Sequence, residues 1–262
     1  DKRHLVTKII MGPVVARTKI EAVVPKVFIK DTGIRLKSDP KLWVYKMKAL
    51  CNSKPRNAML VQRCIKDVKN GHSVVLPLIF TKHIHQMVKD INEAWGGQIA
   101  EAFVGGGAAK QKLLRQAILA RAKSGETRVI VGTRSLLQLG LNVPRWSCIY
   151  TAIPISNEPN YKQETSRVRT PMDGKRQPIV RLFYDSAMPA SVACARNCYN
   201  QMRGFKYEFS KDEHTQAAIS FLLSSGSRSR RGVDMEDDAD FQAVRTMDFD
   251  EGATSFGKAG RR

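Results

Sequence analysis

Long hydrophobic runs are missing from this chain of 262 residues. None approaches the roughly 20 unbroken apolar residues that a membrane-spanning helix needs, so we expect no transmembrane segment and no membrane partner. No charged-then-apolar leader opens the sequence, which begins at Asp1 rather than at Met, and we expect a piece of a longer polypeptide. Its 5 cysteines form no Cys-x-x-Cys pair. These features favour a reduced intracellular location in the cytoplasm.

The sequence lacks the clusters of ligands that a metal site needs. Cys194 and Cys198 are four residues apart on a predicted helix and could present two thiolates on one face. His214 is distant in sequence, and no second close pair of ligands accompanies them. We therefore predict buried thiols and no metal.

Acidic residues are scarce, since 24 Asp and Glu face 44 Lys and Arg, for a formal net charge of +20. Residues 227–262 mix the basic run SRSRR with the acidic run DMEDDAD and have a net charge of −1, so the whole excess lies on residues 1–226. Such a polycation attracts phosphate polyanions, and nucleic acid is the partner we expect. The alternative is a basic surface that only keeps the protein soluble. We predict that 227–262 form a disordered charged tail.

Short apolar runs at 74–80, 99–105, 127–133, 147–154 and 178–185 alternate with helical patterns. Continuous apolar runs are typical of strands buried on both faces, and the alternation indicates sequential crossovers. The pattern predicts an α/β fold with a parallel sheet of about five or six strands and helices on both faces. An irregular segment at 1–38, split by Gly12-Pro13 and Pro25, precedes it, and a helical connecting segment follows at 39–70.

Ligands bind such sheets at the carboxyl ends of the strands, so the loops there are the first place to seek a site. Thr133 ends one strand and enters a helical segment, where backbone N–H groups and a hydroxyl can hold a phosphate. The glycines after another strand allow a nucleic-acid backbone to approach closely. Common turn residues would give the same pattern. The predicted nucleic-acid contacts are Thr81, Lys82, Gly105, Gly106, Thr133 and Arg134.

Three segments in sequence order, VVLPLIFTK, VGTRSLLQLGLNVP and QETSRVRT, resemble motifs IV, V and VI of the superfamily 2 helicases. The stretch 72–185 is similar to the second RecA-like domain of that family, and most similar to its phage-type UvsW/XPB-like DNA helicases. A GPVV segment, here residues 12–15, also follows the first RecA-like domain there. The resemblance implies that 1–38 end the first domain or link the two, and that 71–226 are the second RecA-like domain.

The resemblance also implies roles for particular residues. Arg167 and Arg169 would supply an arginine finger, which stabilises charge developing during phosphoryl transfer. Gly140, Asn142 and Gln163 would contact the nucleotide. Asn142 stands where the family has an acid; Ser166 and Thr170 replace its glycine and its last arginine. Two arginines in so basic a chain could equally form a solvated face or a DNA contact.

The sequence has no G-x-x-x-x-G-K-[ST] and no D-E-x-H, the segments that hold ATP and Mg²⁺ in this scheme. We therefore expect the C-terminal motor half of an ATP-dependent DNA helicase or translocase, a hydrolase inactive alone. ATP and Mg²⁺ would be bound mainly by a first RecA-like domain, the expected protein partner. DNA repair or recombination is the implied setting, in host cytoplasm if the source is a phage, and RNA is not excluded.

Two other functions stay open at this point. Gly105-Gly106-Gly107 follows a predicted strand and opens a helix, as in dinucleotide-binding or methyl-transfer domains, but Lys110 occupies the place of the third glycine of that fingerprint. A non-catalytic nucleic-acid-binding module with a RecA-like fold is the other alternative, which Asn142 and Thr170 favour.

Overall fold

A computed structural model describes residues 22–35, 43–107, 109–138, 141–153 and 158–225. The predicted tail at 227–262 and the predicted nucleotide contact Gly140 lie outside these residues.

Seven strands of the described residues form one sheet in the order β3-β4-β2-β5-β6-β1-β7, and every pair is parallel. They are β1 (Lys26–Asp31), β2 (Val74–Leu78), β3 (Ala100–Phe103), β4 (Val129–Thr133), β5 (Cys148–Thr151), β6 (Ile179–Tyr184) and β7 (Glu208–Phe209). The predicted α/β fold with a parallel sheet is confirmed. The sheet is larger than predicted, because β1 and the short β7 extend it beyond β6.

Helices cover both faces of the sheet. Those in the described residues are α1 (Trp43–Cys51), α2 (Lys54–Lys69), α3 (Thr81–Trp95), α4 (Ala109–Ser124), α5 (Arg134–Gln138), α6 (Glu158–Ser166), α7 (Pro189–Gly204) and α8 (Glu213–Ser224). Side chains alternate between the faces of a strand, so Val74 and Leu76 pack with α1, α2 and α3, whereas Val75 packs with α4, α6, α7 and α8. This explains why all five residues of β2 are buried and apolar.

Buried ion pairs attach α2 to the sheet. Asp67 accepts a hydrogen bond from Arg181 Nη2 of β6 at 2.6 Å. Near the other end of the helix, Arg56 Nε lies 3.1 Å from Asp185 Oδ1, just after β6. Arg56 and Asp67 are both fully buried. Because an unpaired charge is costly in an apolar interior, these pairs fix where α2 lies on its face of the sheet.

The structure corrects the predicted boundaries at residues 38 and 70. Every residue of β1 pairs with a residue of β6, so this strand belongs to the same sheet and not to a linker. Helix α2 covers that sheet and carries its two ion pairs, so it is not a connecting segment. The two ranges were separated in the prediction because Pro25 isolates a short apolar run and because the partner strand lies far along the sequence.

No helix in the described part of the chain is both long and apolar enough to span a bilayer.

Candidate functional site

The carboxyl ends of the parallel strands form one edge of the sheet, the place where open α/β folds bind ligands. Strands β3, β4 and β2 are neighbours, so the loops that follow them lie side by side. Five predicted nucleic-acid contacts stand in these loops or at their borders: Thr81, Lys82, Gly105, Gly106 and Thr133. We call this surface the carboxyl edge. Contact of these residues with nucleic acid stays a prediction.

Helix α3 starts at the carboxyl edge with Thr81, which is half-buried, and Lys82, which is exposed. Phe80 precedes the helix in extended conformation and provides no side-chain cap. The first backbone N–H groups of a helix have no partner within the helix and form its positive end, which favours an anion. The next residue, His83, is buried, and its Nε2 lies 3.0 Å from Asn57 Oδ1. Burial lowers the pKa of His83 to about 4, so this side chain adds no charge near neutral pH.

The loop after β3 is exposed, and a side chain of α4 is hydrogen-bonded to its backbone. Arg115 of α4 donates hydrogen bonds from Nη1 to the carbonyl oxygens of Val104 at 3.4 Å and Gly106 at 3.2 Å. Gly106 has a φ of +151°, and a Cβ there would lie 1.2 Å from Gln111 Oε1. Only glycine fits this position without rearrangement. Arg115 thus supports the exposed loop backbone, and the flexible Gln111 side chain lies against Gly106.

Strand β4 passes close to β3 just before the edge. A Cβ on Gly132 would lie 2.6 Å from the carbonyl oxygen of Phe103, so the backbones approach more closely than any other residue would allow. Thr133 ends the strand half-buried, and α5 begins at the next residue.

Arg134 is not an exposed contact residue, and this corrects its prediction. Its residue is only 6% exposed, and its Nε lies 3.0 Å from Oε2 of Glu164 in α6. Its Nη2 donates to the carbonyl oxygen of Ile153 at 2.9 Å. Burial raises the pKa of Glu164, and the Arg134 guanidinium opposes that rise. The guanidinium thus joins the end of β4, the end of β5 and α6 inside the protein, and it is unable to reach a nucleic acid from there.

Arg167 follows α6 and is half-buried. It donates from Nη1 to the carbonyl oxygen of Leu141 at 2.9 Å and from Nη2 to that of Gln138 at 2.5 Å. Its Nε is buried and has no hydrogen-bond partner among the described residues. Burial lowers the pKa of Arg167. The side chain of Arg167, the predicted arginine finger, is therefore hydrogen-bonded to the backbone that precedes Asn142.

The other predicted nucleotide and catalytic residues are divided between two places. Asn142 is exposed and directly follows the Leu141 carbonyl that Arg167 binds, so these two predicted contacts are neighbours. Gln163 is exposed on α6, one turn before Arg167. Arg169 instead lies over the ring of Tyr207, with 5.4 Å between its guanidinium carbon and the ring centroid. This cation–π contact gives Arg169 a packing role.

Two functional side chains were missed by the sequence prediction, Glu164 and Arg115. Tyr161 and Glu164 are three residues apart, so they lie on the same face of α6, which the structure buries. An acidic residue on the apolar face of a helix indicates a buried basic partner, so the sequence could have predicted a role for Glu164. Nothing in the sequence marked Arg115, because its partners are backbone carbonyls.

Metal ligands are not gathered anywhere in the described residues: no group of three or more His, Cys, Asp or Glu side chains is placed to hold an ion. All five cysteines are buried thiols. Burial raises the pKa of Cys51 to about 12, which keeps this thiol protonated.

No protein-family model matches the chain, and no curated protein matches its sequence. Among solved structures, it is similar to S. cerevisiae Dbp5 bound to RNA and ADP BeF3, with a TM-score of 0.53 and 12% identity, over 84% of this chain and 52% of Dbp5. It is similar to T4 UvsW, with a TM-score of 0.55 and 11% identity, over 71% of this chain and 40% of UvsW.

A third similar structure is a fragment of a putative HsdR subunit of a type I restriction enzyme from Vibrio vulnificus YJ016. Its TM-score is 0.54 at 11% identity, over 70% of this chain and 37% of that one. The chain thus spans about half the length of Dbp5 and less of the other two. At such low identity the likeness concerns the fold alone. With its parallel seven-stranded sheet and helices on both faces, the described part of this chain has a RecA-like α/β fold.

Proposed function

We propose that this chain is the C-terminal motor half of an ATP-dependent superfamily 2 helicase or translocase that acts on DNA. In this function it pairs with a first RecA-like domain that holds most of the nucleotide. The fold supports the proposal, as does the grouping of five predicted contacts on the carboxyl edge. The Dbp5 structure, bound to RNA and ADP BeF3, provides a similar fold engaged with both kinds of ligand.

The observation that carries the proposal is the chain of polar contacts between the carboxyl edge and Arg167. Arg134 follows Thr133 directly and is paired with Glu164 of α6, three residues before Arg167. Arg167 in turn binds the carbonyl oxygen of Gln138, at the end of α5. The loop that would hold a phosphate and the arginine that would face ATP therefore belong to one stiff unit. A motor needs such a unit, because a change at the nucleotide has to move the grip on the nucleic acid.

On the carboxyl edge, the proposed contacts are to the sugar-phosphate backbone and not to bases. The uncapped start of α3, the exposed backbone at Gly105 and Gly106, and the Thr133 hydroxyl all suit phosphate oxygens. Lys82 adds an exposed charge. Such contacts give affinity that falls with salt and depends little on sequence. Arg134 now acts in the proposal as a positioning residue.

At the nucleotide, we assign Arg167 the part of a finger that places positive charge beside the phosphoryl group being transferred. Its Nε is buried and its other nitrogens hold carbonyl oxygens, so in this function the guanidinium turns outward when the first domain docks. Asn142 and Gln163 are exposed nearby and can donate or accept hydrogen bonds to a nucleotide. Because the described residues gather no metal ligands, any Mg²⁺ would be held by the first domain.

A non-catalytic nucleic-acid-binding module is the second candidate. The observation in its favour is that two nitrogens of Arg167 are already bound to the carbonyl oxygens of Gln138 and Leu141. An arginine in that position can stabilise the segment before Asn142 without ever meeting ATP. The two functions share the carboxyl edge and differ in the role of Arg167.

ATP hydrolysis separates the two candidates when this chain is assembled with a first RecA-like domain. If Arg167 is a finger, Arg167→Ala and Arg167→Lys lower the nucleic-acid-stimulated rate by about 10³-fold or more. Arg196→Ala is the matched control, since Arg196 is also half-buried and binds a backbone carbonyl, that of Leu222, between α7 and α8. A rate unchanged by Arg167→Ala removes the finger role and favours the binding module. Parallel assays with DNA and RNA of one sequence test the preference for DNA.

Nucleic-acid binding by this chain alone tests the carboxyl edge. Lys82→Ala is expected to weaken binding about equally for all sequences and to reduce the slope of log K against log salt by about one. Lys89→Ala is the control, because it also removes one positive charge from α3 but farther from the carboxyl edge. Lys89 is exposed, and its Nζ lies 3.7 Å from Glu93 Oε1. Equal effects of the two variants would mean that binding follows total charge and not this edge.

A further inference from the structure

A cavity lies at the edge of the sheet opposite the carboxyl edge, where the strands begin. It has a volume of about 190 Å³ and is lined by the turns that precede β2, β4, β5 and β6. Four of its lining residues are cations, namely Arg128, Arg145, Lys175 and Arg176, and none is acidic. We call it the amino-edge cavity.

Three of the four cations donate hydrogen bonds to backbone carbonyl oxygens, which do not cancel their charge. Arg128 donates to the carbonyl oxygen of His72 at 3.4 Å and Arg145 to that of Lys123 at 3.2 Å. Lys175 Nζ donates to the carbonyl oxygen of Thr170 at 2.7 Å. Within the residues that the structure describes, none of the four forms an ion pair. An anion in the cavity would be the counter-charge that the protein itself does not supply.

Two glycines let the guanidinium groups lie against the backbone at this cavity. Gly71 has a φ of +88°, and a Cβ there would lie 3.2 Å from Arg176 Nε. Gly125 has a φ of +94°, and its Cβ would lie 3.1 Å from Arg145 Nε. Both positions therefore need glycine for the backbone conformation, and both would crowd an arginine if substituted. The arginines are placed by the fold and do not merely extend from a basic surface.

Lys175 lies half-buried among the residues that line the cavity. Burial lowers its pKa to about 8, and no carboxylate opposes that effect. The groups around the cavity that could change its charge are Arg128, Arg145, Arg176 and His72. Burial lowers the pKa of His72, so this side chain is neutral near neutral pH. Like charges held together in this way cost stability, which a bound anion would recover.

We propose that the amino-edge cavity is a binding site for a small anion with two linked phosphate groups. Four cations match the charge of a diphosphate, and arginine forks and serine hydroxyls such as that of Ser147 suit its oxygen atoms. The volume is below that of pockets for drug-sized ligands, which suits a group of the size of a diphosphate. The site lies at the edge opposite the proposed nucleic-acid grip and does not depend on motor function.

Calorimetric titration of the full chain with inorganic pyrophosphate at low ionic strength tests the site. We expect saturable binding with one molecule per chain, weakened about tenfold in Arg176→Gln, because a charge-assisted hydrogen bond is lost. Arg203→Gln is the control, since Arg203 is exposed over the ring of Tyr199 and its removal lowers the net charge equally. Arg176 is also exposed, and thermal denaturation without ligand will show that both variants are folded.

Several outcomes overturn the proposal. They are the absence of saturable binding, an Arg176→Gln variant that binds like the parent, and an equal loss in Arg203→Gln. Binding of a long oligonucleotide but not of pyrophosphate also rejects it, because the cavity would then belong to a nucleic-acid surface. A parallel titration with ADP identifies the source of the diphosphate: affinity equal to that of pyrophosphate indicates a free diphosphate, and tighter binding that also depends on Arg176 indicates a nucleotide.

Discussion

Breaking the ion pair between Arg134 and Glu164 should destabilise the whole fold. Arg134→Met leaves the Glu164 carboxylate, which is 2% exposed, without its partner and the Ile153 carbonyl oxygen without a donor. Removing one member of a buried pair costs about 3–5 kcal/mol. At about 2–4 °C per kcal/mol for a folded unit of this size, the melting temperature should fall by about 6–20 °C. Urea denaturation measures the free energy directly.

A double variant tests whether the pair itself causes the loss. Arg134→Met together with Glu164→Met removes both charges and should recover most of the stability, because an apolar pair can replace a buried ion pair. Arg196→Met serves as the control for loss of a half-buried arginine and should cost about 1 kcal/mol. If Arg134→Met costs no more than this control, or if the double variant loses the sum of the two single losses, the assignment is refuted.

The pH dependence of Arg134→Met has a defined sign. Burial already raises the pKa of Glu164, and without Arg134 nothing opposes that rise. The folded state then binds a proton that the unfolded state releases, so stability is retained at low pH and is lost as pH rises through the raised pKa. The difference between parent and variant should therefore grow with pH in the mildly acidic range.

Three further perturbations have expected outcomes. Gly132→Ala puts a Cβ 2.6 Å from the Phe103 carbonyl oxygen, so it should cost about 1–3 kcal/mol in urea denaturation, whereas Gly174→Ala, with open space around its Cβ but also a positive φ, should cost less. Affinity of the amino-edge cavity for pyrophosphate should fall as pH rises through about 8, where Lys175 loses its proton, and a flat profile in calorimetry would exclude Lys175 from the site. The folded chain should react slowly with a thiol reagent at neutral pH, because burial raises the pKa of Cys51 to about 12 and also raises that of Cys64, and denaturant should expose all five thiols.

Sequence patterns predict the central part of this fold well. Strand β2 is an uninterrupted apolar run, and the strands and helices that follow it alternate regularly, so a parallel sheet covered on both faces is the simplest arrangement. They predict β1 poorly. Its six residues include two lysines and an aspartate, and only pairing with β6, far along the chain, makes them a strand of the same sheet.

The candidate site shows the same division between local and long-range information. Placement of Thr81, Gly105 and Thr133 on one edge follows from strand order, which the βα alternation constrains. The orientation of a long side chain does not follow from it. Arg134 and Arg167 lie in segments of similar polarity, yet one enters a buried pair with Glu164 and the other binds backbone carbonyls. Those partners become neighbours only once α5 and α6 have packed.

The place of β1 in the sheet constrains how the chain can be made and cut. Lys26 pairs with Ile179, so a ribosome that has released β1 must synthesise all of β2 to β5 before the partner of β1 exists. Until then this strand waits with open hydrogen-bonding groups on both sides. Cleavage between α1 and α2, or expression of a shorter chain that begins at residue 71, would separate β1 from β6. Strand β6 would then be an unpaired edge strand, which is prone to aggregate.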